Sequence, residues 1–272
     1  MHKLSDAELS RAIAAQAGQA LLNLRSAFGE LDPADKDRAN ELRKSGDRTA
    51  HVLIAELLAE HRPHDALLSE EGADDARRLS AERVWIVDPL DGTWEFGQGR
   101  GDFAVHIALW QPATMSLAAC TVDLPAQGMS RSMLDEVGAP ADLPANRPIR
   151  IVASRSRPPA TLPKAVELLG KKLAAAGLSE HGVEIVDVGS VGAKVNEMLC
   201  GRAEAYVHDT GFYEWDVAAP YGVATHYGYI ASHIDGSPVT FNHLPPYVTD
   251  LTVAHPQLAQ LLRECLAEAA HL

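Results

Sequence analysis

The chain has 272 residues, of which 46% are hydrophobic and 22% charged, and its formal net charge is −13. This composition is ordinary for a globular protein of one large or two smaller domains. No apolar run reaches the roughly 18 residues of a membrane-spanning helix, the N-terminus lacks the apolar core of a secretory signal, and no block of Lys and Arg suits nucleic acid. The three separated cysteines suggest neither a disulfide framework nor a CxxC metal site. We therefore expect a cytoplasmic protein that binds neither membranes nor nucleic acid.

The first part of the chain is predicted to begin with two helices. Ser5 and Glu8 have capping-box spacing, and apolar residues recur at helical intervals over 5–28. A second helix is predicted over 48–61, and the polar stretch LDPADKDRANELRKSGDR before it is expected to be partly irregular and mobile. Strands are predicted in DALLSEEG and at 83–88, 103–110 and 116–122.

The second part of the chain alternates between strands and helices. It follows a linker rich in Pro and Ala near 138–148. The predicted strands are IRIVAS, VEIVDV, AEAYVH and DLTVAH, and the predicted helices span 161–176, 190–200, 216–227 and 257–270. The sequence therefore predicts an α+β domain over residues 1–147 and an α/β domain over residues 148–272.

Acidic residues stand at the ends of several predicted elements. Asp88 and Asp91 end the apolar run VWIVDPLD, Glu70 closes ALLSEE, and Asp47 and Asp216 stand at helix starts. An acid at a helix start is commonly a cap that the helix dipole stabilises, and Asp-Pro and Asp-Gly are common turn dipeptides. Each acid taken alone therefore has an ordinary structural explanation.

The DPLDG unit carries a stronger indication of chemistry. Pro89 stiffens the turn, so the carboxylates of Asp88 and Asp91 and the carbonyl of Leu90 can point the same way. Mg²⁺ prefers oxygen ligands, usually one or two carboxylates with waters and substrate phosphate. The Gly-Thr pair that follows would open a helix whose N–H groups suit a phosphate oxygen. The metal ions and the N–H groups would then face the same phosphate. This arrangement is typical of two-metal phosphoryl transfer.

Three motifs, in the right order, carry a resemblance to a known family. WIVDPLDGT resembles the signature of the inositol monophosphatase superfamily of Mg²⁺-dependent, Li⁺-sensitive phosphatases. WDVAAP at 215–220 resembles its second signature, and SEEG at 69–72 resembles its upstream acidic motif. The resemblance covers most of the chain. It implies a layered αβαβα sandwich, of the α+β and α/β class, and a homodimer.

The resemblance also implies roles for the acidic residues. Two or three Mg²⁺ ions would be held by Glu70, Asp88, the Leu90 carbonyl, Asp91 and Asp216. Thr93, with Asp47 and Glu70, would orient the attacking water and help to deprotonate it. The N-terminal domain would then carry most of the metal ligands, and the C-terminal domain would add Asp216 and much of the substrate pocket.

The substrate is narrowed by the same resemblance. The family hydrolyses inositol phosphates, fructose 1,6-bisphosphate or the 3′-phosphate of 3′-phosphoadenosine 5′-phosphate. DGTWEF, GSVGAK and YEWDVAAP resemble the bisphosphate nucleotidase branch, which favours 3′-phosphoadenosine 5′-phosphate, its sulfated form and a place in sulfur assimilation. The alternatives are an inositol-1-phosphatase, a fructose-1,6-bisphosphatase, and a member of the fold that serves mainly as a binding partner of other macromolecules.

Candidate substrate-binding residues follow from the motifs, and each has an ordinary alternative. Lys194 is either a cation that binds a second phosphate of the substrate or an ordinary lysine on a helix surface. Gly189 and Ser190 lie at a helix start that suits an anion, or Ser190 is simply an N-cap. Asp209 is a candidate for ribose or polyol hydroxyls. Gly92 and Thr93 are assigned to the reacting phosphate.

Four further residues are conspicuous in the sequence without an assigned role. Arg157 stands where the family commonly has a histidine, which leaves base recognition open. Glu95 is either part of the substrate signature or a solvent-facing acid. His106 is interpreted as a packed strand residue rather than a metal ligand. Trp94 has no role that the sequence indicates.

Overall fold

The computed structural model describes residues 4–30 and 34–271. The helices are α1 (Asp6–Phe28), α2 (Lys36–His61), α3 (Thr93–Gly97), α4 (Leu162–Ala175), α5 (Val191–Leu199), α6 (Glu214–His226) and α7 (Ala259–Ala269). The strands are β1 (Ala66–Ser69), β2 (Val84–Asp91), β3 (Ala104–Gln111), β4 (Ser116–Leu124), β5 (Met129–Ser132), β6 (Ile149–Ser154), β7 (Val183–Val188), β8 (Ala205–His208), β9 (Phe212–Tyr213), β10 (Ile230–Ser232), β11 (Tyr247–Val248) and β12 (Leu251–Ala254). In these described ranges no helix is both long and apolar enough to cross a membrane.

The first large sheet has the strand order β1-β2-β3-β4-β5. β1 pairs with β2 in parallel, and the other pairs are antiparallel. Because side chains alternate along a strand, Trp85 and Val87 pack with α1 and α2 on one face, while Val84 and Ile86 face the middle of the molecule. Both faces of β2 are therefore covered, which explains its continuous apolar sequence.

The second large sheet has the strand order β10-β12-β8-β6-β7. β6 is parallel to both β7 and β8, as expected for strands joined through helices. Ile149 and Ile151 pack against α4 and α7, while Val152 faces the middle of the molecule. Helices α5 and α6 fill the space between the two sheets, and the result is the predicted αβαβα sandwich.

The middle helices join the two halves of the chain. α6 packs on β2, β3 and β4 of the first sheet, and one hydrophobic cluster includes Ile86 and Cys120 with Val217 and Val253. The two large sheets draw their strands from opposite sides of residue 147, but they share this core. The division into two domains stays a prediction.

Helix α2 corrects one expectation from the sequence. The polar stretch before residue 48 is helical from Lys36 onward, with Asp35 as N-cap accepting a hydrogen bond from Arg38 N at 3.0 Å. The prediction of irregular structure was wrong there, and residues 31–33 lie outside the described residues. Each turn buries one small or apolar residue, namely Ala39, Leu42 and Gly46. Good helix formers such as Lys, Arg and Glu occupy the exposed face.

Gly46 provides a test of how closely α2 approaches the loop after β2. A Cβ atom at Gly46 would lie 2.8 Å from Phe96 Cε1 and 2.9 Å from Leu90 Cδ2. Overpacking of this kind costs about 1–3 kcal/mol, more than the roughly 1 kcal/mol that alanine gains over glycine inside a helix. We expect Gly46→Ala to lower the free energy of unfolding measured by urea denaturation.

A glycine inside α4 supplies the matched control. A Cβ atom at Gly170 would meet nothing closer than 3.9 Å. Gly170→Ala should therefore stabilise the protein by about 0.5–1 kcal/mol through helix propensity alone. An equal gain from Gly46→Ala would contradict the close packing of α2 described above.

Candidate active site

The loop at the end of β2 brings two carboxylates to the same place. Residues three apart in a regular strand point to opposite faces, but the pairing of β2 with β3 is irregular between Asp88 and Asp91. The extra residue of such a bulge turns the following side chain. The backbone N–H of Leu90 donates to Asp88 Oδ1 at 2.9 Å and fixes the turn.

The first turn of α6 brings a third carboxylate from the other half of the chain. Asp216 Oδ2 accepts a hydrogen bond from Tyr213 N at 2.8 Å, so Asp216 does cap the helix. One oxygen of each of Asp88, Asp91 and Asp216 lies within 4.8 Å of the other two. The capping explanation and the site explanation therefore both hold for Asp216.

This three-carboxylate cluster (Asp88, Asp91 and Asp216) fits a cation. Asp88 is 1% exposed, and burial, followed by repulsion from neighbouring acids, raises its pKa well above the usual range. Burial and the charge of Asp91 raise the pKa of Asp216 to about 8. Among the described residues, no Lys or Arg forms an ion pair with the cluster. Buried carboxylate oxygens without a cationic side chain are the ligands of hard metal ions, so the cluster could hold a metal.

Glu70 lies beside the cluster. It follows β1, whose parallel pairing places it next to β2, and its N–H donates to the Val87 carbonyl at 3.3 Å. Glu70 as a whole is exposed, but its carboxyl group shares a hydrogen bond with Asp88, and the burial of that group, followed by repulsion from Glu71 and Asp91, raises its pKa to about 7. The structure thus brings Glu70 to the edge of the three-carboxylate cluster.

Thr93 and Asp47 meet beside the loop that ends β2. Thr93 Oγ1 lies 3.0 Å from the Leu90 carbonyl, to which it donates, and 3.5 Å from Asp47 Oδ1. Burial, then the charges of Glu71 and Glu70, raise the pKa of Asp47 to about 7. The corrected extent of α2 explains this contact, because Asp47 lies inside that helix and not in a mobile segment.

Gly92 allows the loop to turn into α3. Its φ is +87°, a left-handed conformation that favours glycine. A Cβ atom there would lie 3.0 Å from both the Asp102 carbonyl and Ser190 Cβ. Gly92 is therefore the point at which the chain from the N-terminal half approaches the start of α5.

His106 lies directly against the site. It is buried on β3, as predicted, but its Nε2 also lies 3.2 Å from Asp91 Oδ2. Burial lowers its pKa, which favours the neutral ring. The same oxygen accepts a hydrogen bond from Gly192 N at 3.0 Å. Only the register of β2 against β3 places His106 there, and the sequence carries no signal for it.

A cavity of about 550 Å³ opens beside the three-carboxylate cluster. Its wall includes Asp91 and Asp216 together with four residues that the sequence assigned to substrate, namely Gly92, Gly189, Ser190 and Lys194. Asp209 is exposed and is not part of this wall. The structure thus brings four of the six predicted substrate residues to one cavity, while Thr93 lies beside it in α3 and Asp209 lies outside it.

The cavity wall contains one buried lysine, Lys194. It is 3% exposed, so it is not a lysine on a helix surface. Its Nζ donates to the carbonyls of Gly189 and Ser190, and burial lowers its pKa to about 8. Ser190 is the N-cap of α5 and accepts a hydrogen bond from Ala193 N at 2.9 Å.

Arg155 links the two halves beside the cavity. Its guanidinium contacts Glu95 Oε1 at 2.9 Å and Asp102 Oδ2 at 3.0 Å. Glu95 is therefore a buried, paired acid and not a solvent-facing one. A Cβ atom at Gly189 would lie 2.5 Å from Glu95 Oε1, so glycine is needed where these segments meet. Sequence reasoning did not identify Arg155, because its partners lie more than fifty residues away.

The raised pKa values predict that the metal-free protein loses stability as the pH rises. Asp216 titrates at about 8 and Glu70 at about 7 in the folded chain, against about 4 when unfolded. Folding therefore favours the protonated forms, and their contribution is complete below about pH 4 and is lost through pH 7–8. In EDTA, we expect Asp216→Asn to melt several degrees above wild type at pH 8 and to match it near pH 4, at roughly 2–4 °C per kcal/mol.

A control variant and the addition of Mg²⁺ complete this experiment. Glu60→Gln, which removes an exposed acid on α2, should follow wild type at both pH values. Added Mg²⁺ should raise the melting temperature of wild type at pH 8 much more than that of Asp216→Asn. Parallel pH profiles for wild type and Asp216→Asn would refute the repulsion, and equal Mg²⁺ shifts would refute the cation site.

Comparisons with known proteins agree with this geometry. The model of the inositol monophosphatase family matches residues 5–267. The 3′-phosphoadenosine 5′-phosphate phosphatase of Mycobacterium tuberculosis is 41% identical over 260 residues, which cover 93% of this chain and 90% of that protein. The 3′(2′),5′-bisphosphate nucleotidase CysQ of Escherichia coli is 28% identical over 240 residues, which cover 84% of this chain and 91% of that protein.

A solved structure extends the similarity to three dimensions. CysQ from Bacteroides thetaiotaomicron, a bacterial member of the inositol monophosphatase family, superimposes with a TM-score of 0.69 at 25% identity. The superposition covers 92% of this chain and 97% of that protein. The fold and the resemblance predicted from the motifs are confirmed, and the chain belongs to the inositol monophosphatase family.

Proposed function

We propose that this protein is a metal-dependent phosphomonoesterase that removes the 3′-phosphate of 3′-phosphoadenosine 5′-phosphate. Membership of the family supports phosphatase chemistry. The relative named for this substrate is 41% identical over nearly its whole length, and the nucleotidase from Escherichia coli supports the same class of substrate. The sulfated form, 3′-phosphoadenylyl sulfate, has the same 3′-phosphate and is a second candidate substrate.

One observation about the cavity carries this proposal. The wall holds carboxylates that need a cation and, separately, the buried ammonium of Lys194. Among the described residues, no carboxylate forms an ion pair with Lys194, although a buried charge is costly unless it is paired. A substrate with two phosphates satisfies both ends of the cavity. The reacting phosphate would lie at the three-carboxylate cluster, with Gly92 and Thr93, and the 5′-phosphate would lie near Lys194.

The metal ions are proposed to be Mg²⁺. Glu70, Asp88, the Leu90 carbonyl, Asp91 and Asp216 offer oxygen ligands only, which suits this hard cation. Bound Mg²⁺ would neutralise the phosphate, activate water and stabilise the departing oxygen. Two or three ions per site and inhibition by Li⁺ are part of the proposal.

The chain's own residues orient the water and receive its proton. Thr93 Oγ1 donates its own hydrogen to the Leu90 carbonyl at 3.0 Å and can accept a hydrogen bond from the water, while Asp47 lies 3.5 Å from the same oxygen. Asp47 and Glu70, with pKa values of about 7, can take up a proton near neutral pH. The water oxygen forms a bond to phosphorus, the bond to the ribose 3′ oxygen breaks, and that oxygen takes up a proton.

The main alternative substrates are two other phosphate esters. Inositol 1-phosphate has a single phosphate and would leave Lys194 without an anion. Fructose 1,6-bisphosphate has two phosphates but no base. The alternative of a partner-binding protein is disfavoured because the acids and Thr93 come together in the fold. Homodimer formation stays a prediction from the family resemblance, and the absence of nucleic acid among the partners stays a prediction from the charge of the chain.

A phosphate-release panel tests the substrate. We expect kcat/KM for 3′-phosphoadenosine 5′-phosphate to exceed that for inositol 1-phosphate and for fructose 1,6-bisphosphate by at least about tenfold, and Li⁺ to inhibit. Lys194→Met should lower kcat/KM for the nucleotide by about 10- to 100-fold, the usual effect of losing a hydrogen bond to a charged group. Turnover of inositol 1-phosphate should change little. Lys171→Met, an exposed helix lysine, is the matched control, and an equal loss on both substrates would refute the role of Lys194.

Asp91→Asn tests the catalytic centre. The amide keeps the size of the side chain but removes the negative charge, so cation binding should weaken. We expect turnover to fall by roughly two orders of magnitude or more, on the scale of losing a main electrostatic contact. Circular dichroism and thermal melting should show an intact fold. Near-normal turnover in a folded Asp91→Asn protein would overturn the metal assignment.

A further inference from the structure

Trp94 is a large aromatic side chain that the fold does not bury. It is the second residue of α3 and is 51% exposed, whereas Trp85 and Trp110 are 1% and 4% exposed. Its neighbours Glu95 and Phe96 are buried. Within the described part of the chain its indole forms no stacked or edge contact with another ring and lies against no cation. The core therefore gains little from this tryptophan.

Trp94 lies in the wall of the cavity beside the three-carboxylate cluster. It directly follows Thr93, and adjacent Cα atoms are about 3.8 Å apart. Because Trp94 lines the same cavity as Asp91, Gly92 and Asp216, its indole borders the place where the reacting phosphate would lie. In a nucleoside 3′-phosphate only the ribose separates this phosphate from the base, so the base falls within reach of the indole. A sugar phosphate without a base has no flat apolar group to place there.

Another part of the cavity wall carries charged side chains. It comes from the segment after β6, where Arg155 is held by Glu95 and Asp102. Arg157 also lines the cavity and is exposed. This side of the cavity is polar and cationic. The wall also includes three aromatic rings that are at most 5% exposed, whereas Trp94 is 51% exposed and so offers the more accessible aromatic face; these rings belong to Tyr206, His208 and Phe212. An aromatic surface of this kind binds a base through its π-face without selecting a hydrogen-bond pattern.

We propose that Trp94 is a specificity-determining residue whose indole stacks on the purine base of the substrate. The inference rests on the proposed function and adds to it the group that selects a nucleotide over a base-free phosphate ester. Trp94 takes no part in the bond changes. Losing it weakens binding of the nucleotide and leaves the catalytic groups in place.

The test compares two substrates that differ only in the base. One is 3′-phosphoadenosine 5′-phosphate, and the other is 1-O-methylribose 3,5-bisphosphate, which keeps both phosphates and the ribose. Trp94→Ala should raise KM for the nucleotide by about 10- to 100-fold, the usual effect of removing a stacked aromatic, with kcat within about threefold. KM for the base-free substrate should stay within about twofold. Trp94→Phe should retain most of the affinity, and Leu79→Ala, which removes another half-exposed apolar side chain, should change neither substrate.

A binding measurement separates stacking from any effect on turnover. Adenosine 5′-phosphate, the product, should quench tryptophan fluorescence in the wild type, and most of this quenching should be lost in Trp94→Phe. Equal losses on both substrates in Trp94→Ala, unchanged kinetics on both, or full quenching in Trp94→Phe would each overturn the proposal. If wild type fails to hydrolyse the nucleotide but cleaves other phosphate esters, the proposed function fails, and the quenching experiment still decides whether Trp94 stacks on a purine.

Discussion

Mutual repulsion among Asp88, Asp91 and Asp216 is the constraint around which this molecule is arranged. Two of these acids end β2 and the third begins α6, so the two halves of the chain each supply negative charge to one buried place. In the described residues no Lys or Arg side chain is paired with them. The shared core of the middle layer holds the halves together against this repulsion. A bound cation turns the same repulsion into attraction, as expected where a functional site is kept at a cost in stability.

Close approach of backbone segments is the second requirement of the site. Gly46 on α2 lies against Leu90 and Phe96, and Gly189 lies against Glu95. A side chain at either glycine would push the segments apart and with them Asp47, Thr93 and Lys194. The catalytic geometry therefore depends on packing between elements as much as on the acidic residues themselves, because misplacement by about 1 Å can be costly to catalysis.

Sequence reasoning succeeded where a pattern was long or carried chemistry. The apolar run of β2, the alternation of strands and helices after residue 148 and the family motif around Asp91 led to the sandwich and to the acids that the structure brings together. It failed for the first part of α2, where each turn buries only one small or apolar residue. The two-residue strands β9 and β11 are too short to show a period. The contacts of His106 and Arg155 depend on tertiary pairing, which a single sequence does not encode locally.

Under the proposed roles, helix α3 places a catalytic hydroxyl and a base-selecting ring on adjacent residues. Successive side chains on a helix point about 100° apart. Thr93 accordingly meets the Leu90 carbonyl and Asp47, Trp94 lines the cavity, and Glu95 turns inward to Arg155. Because each residue has different partners, position 94 can change without disturbing the hydroxyl at 93 or the ion pair at 95. If Trp94 selects the base as proposed, substrate selection in this chain depends on one exposed position in the first turn after the DPLDG loop.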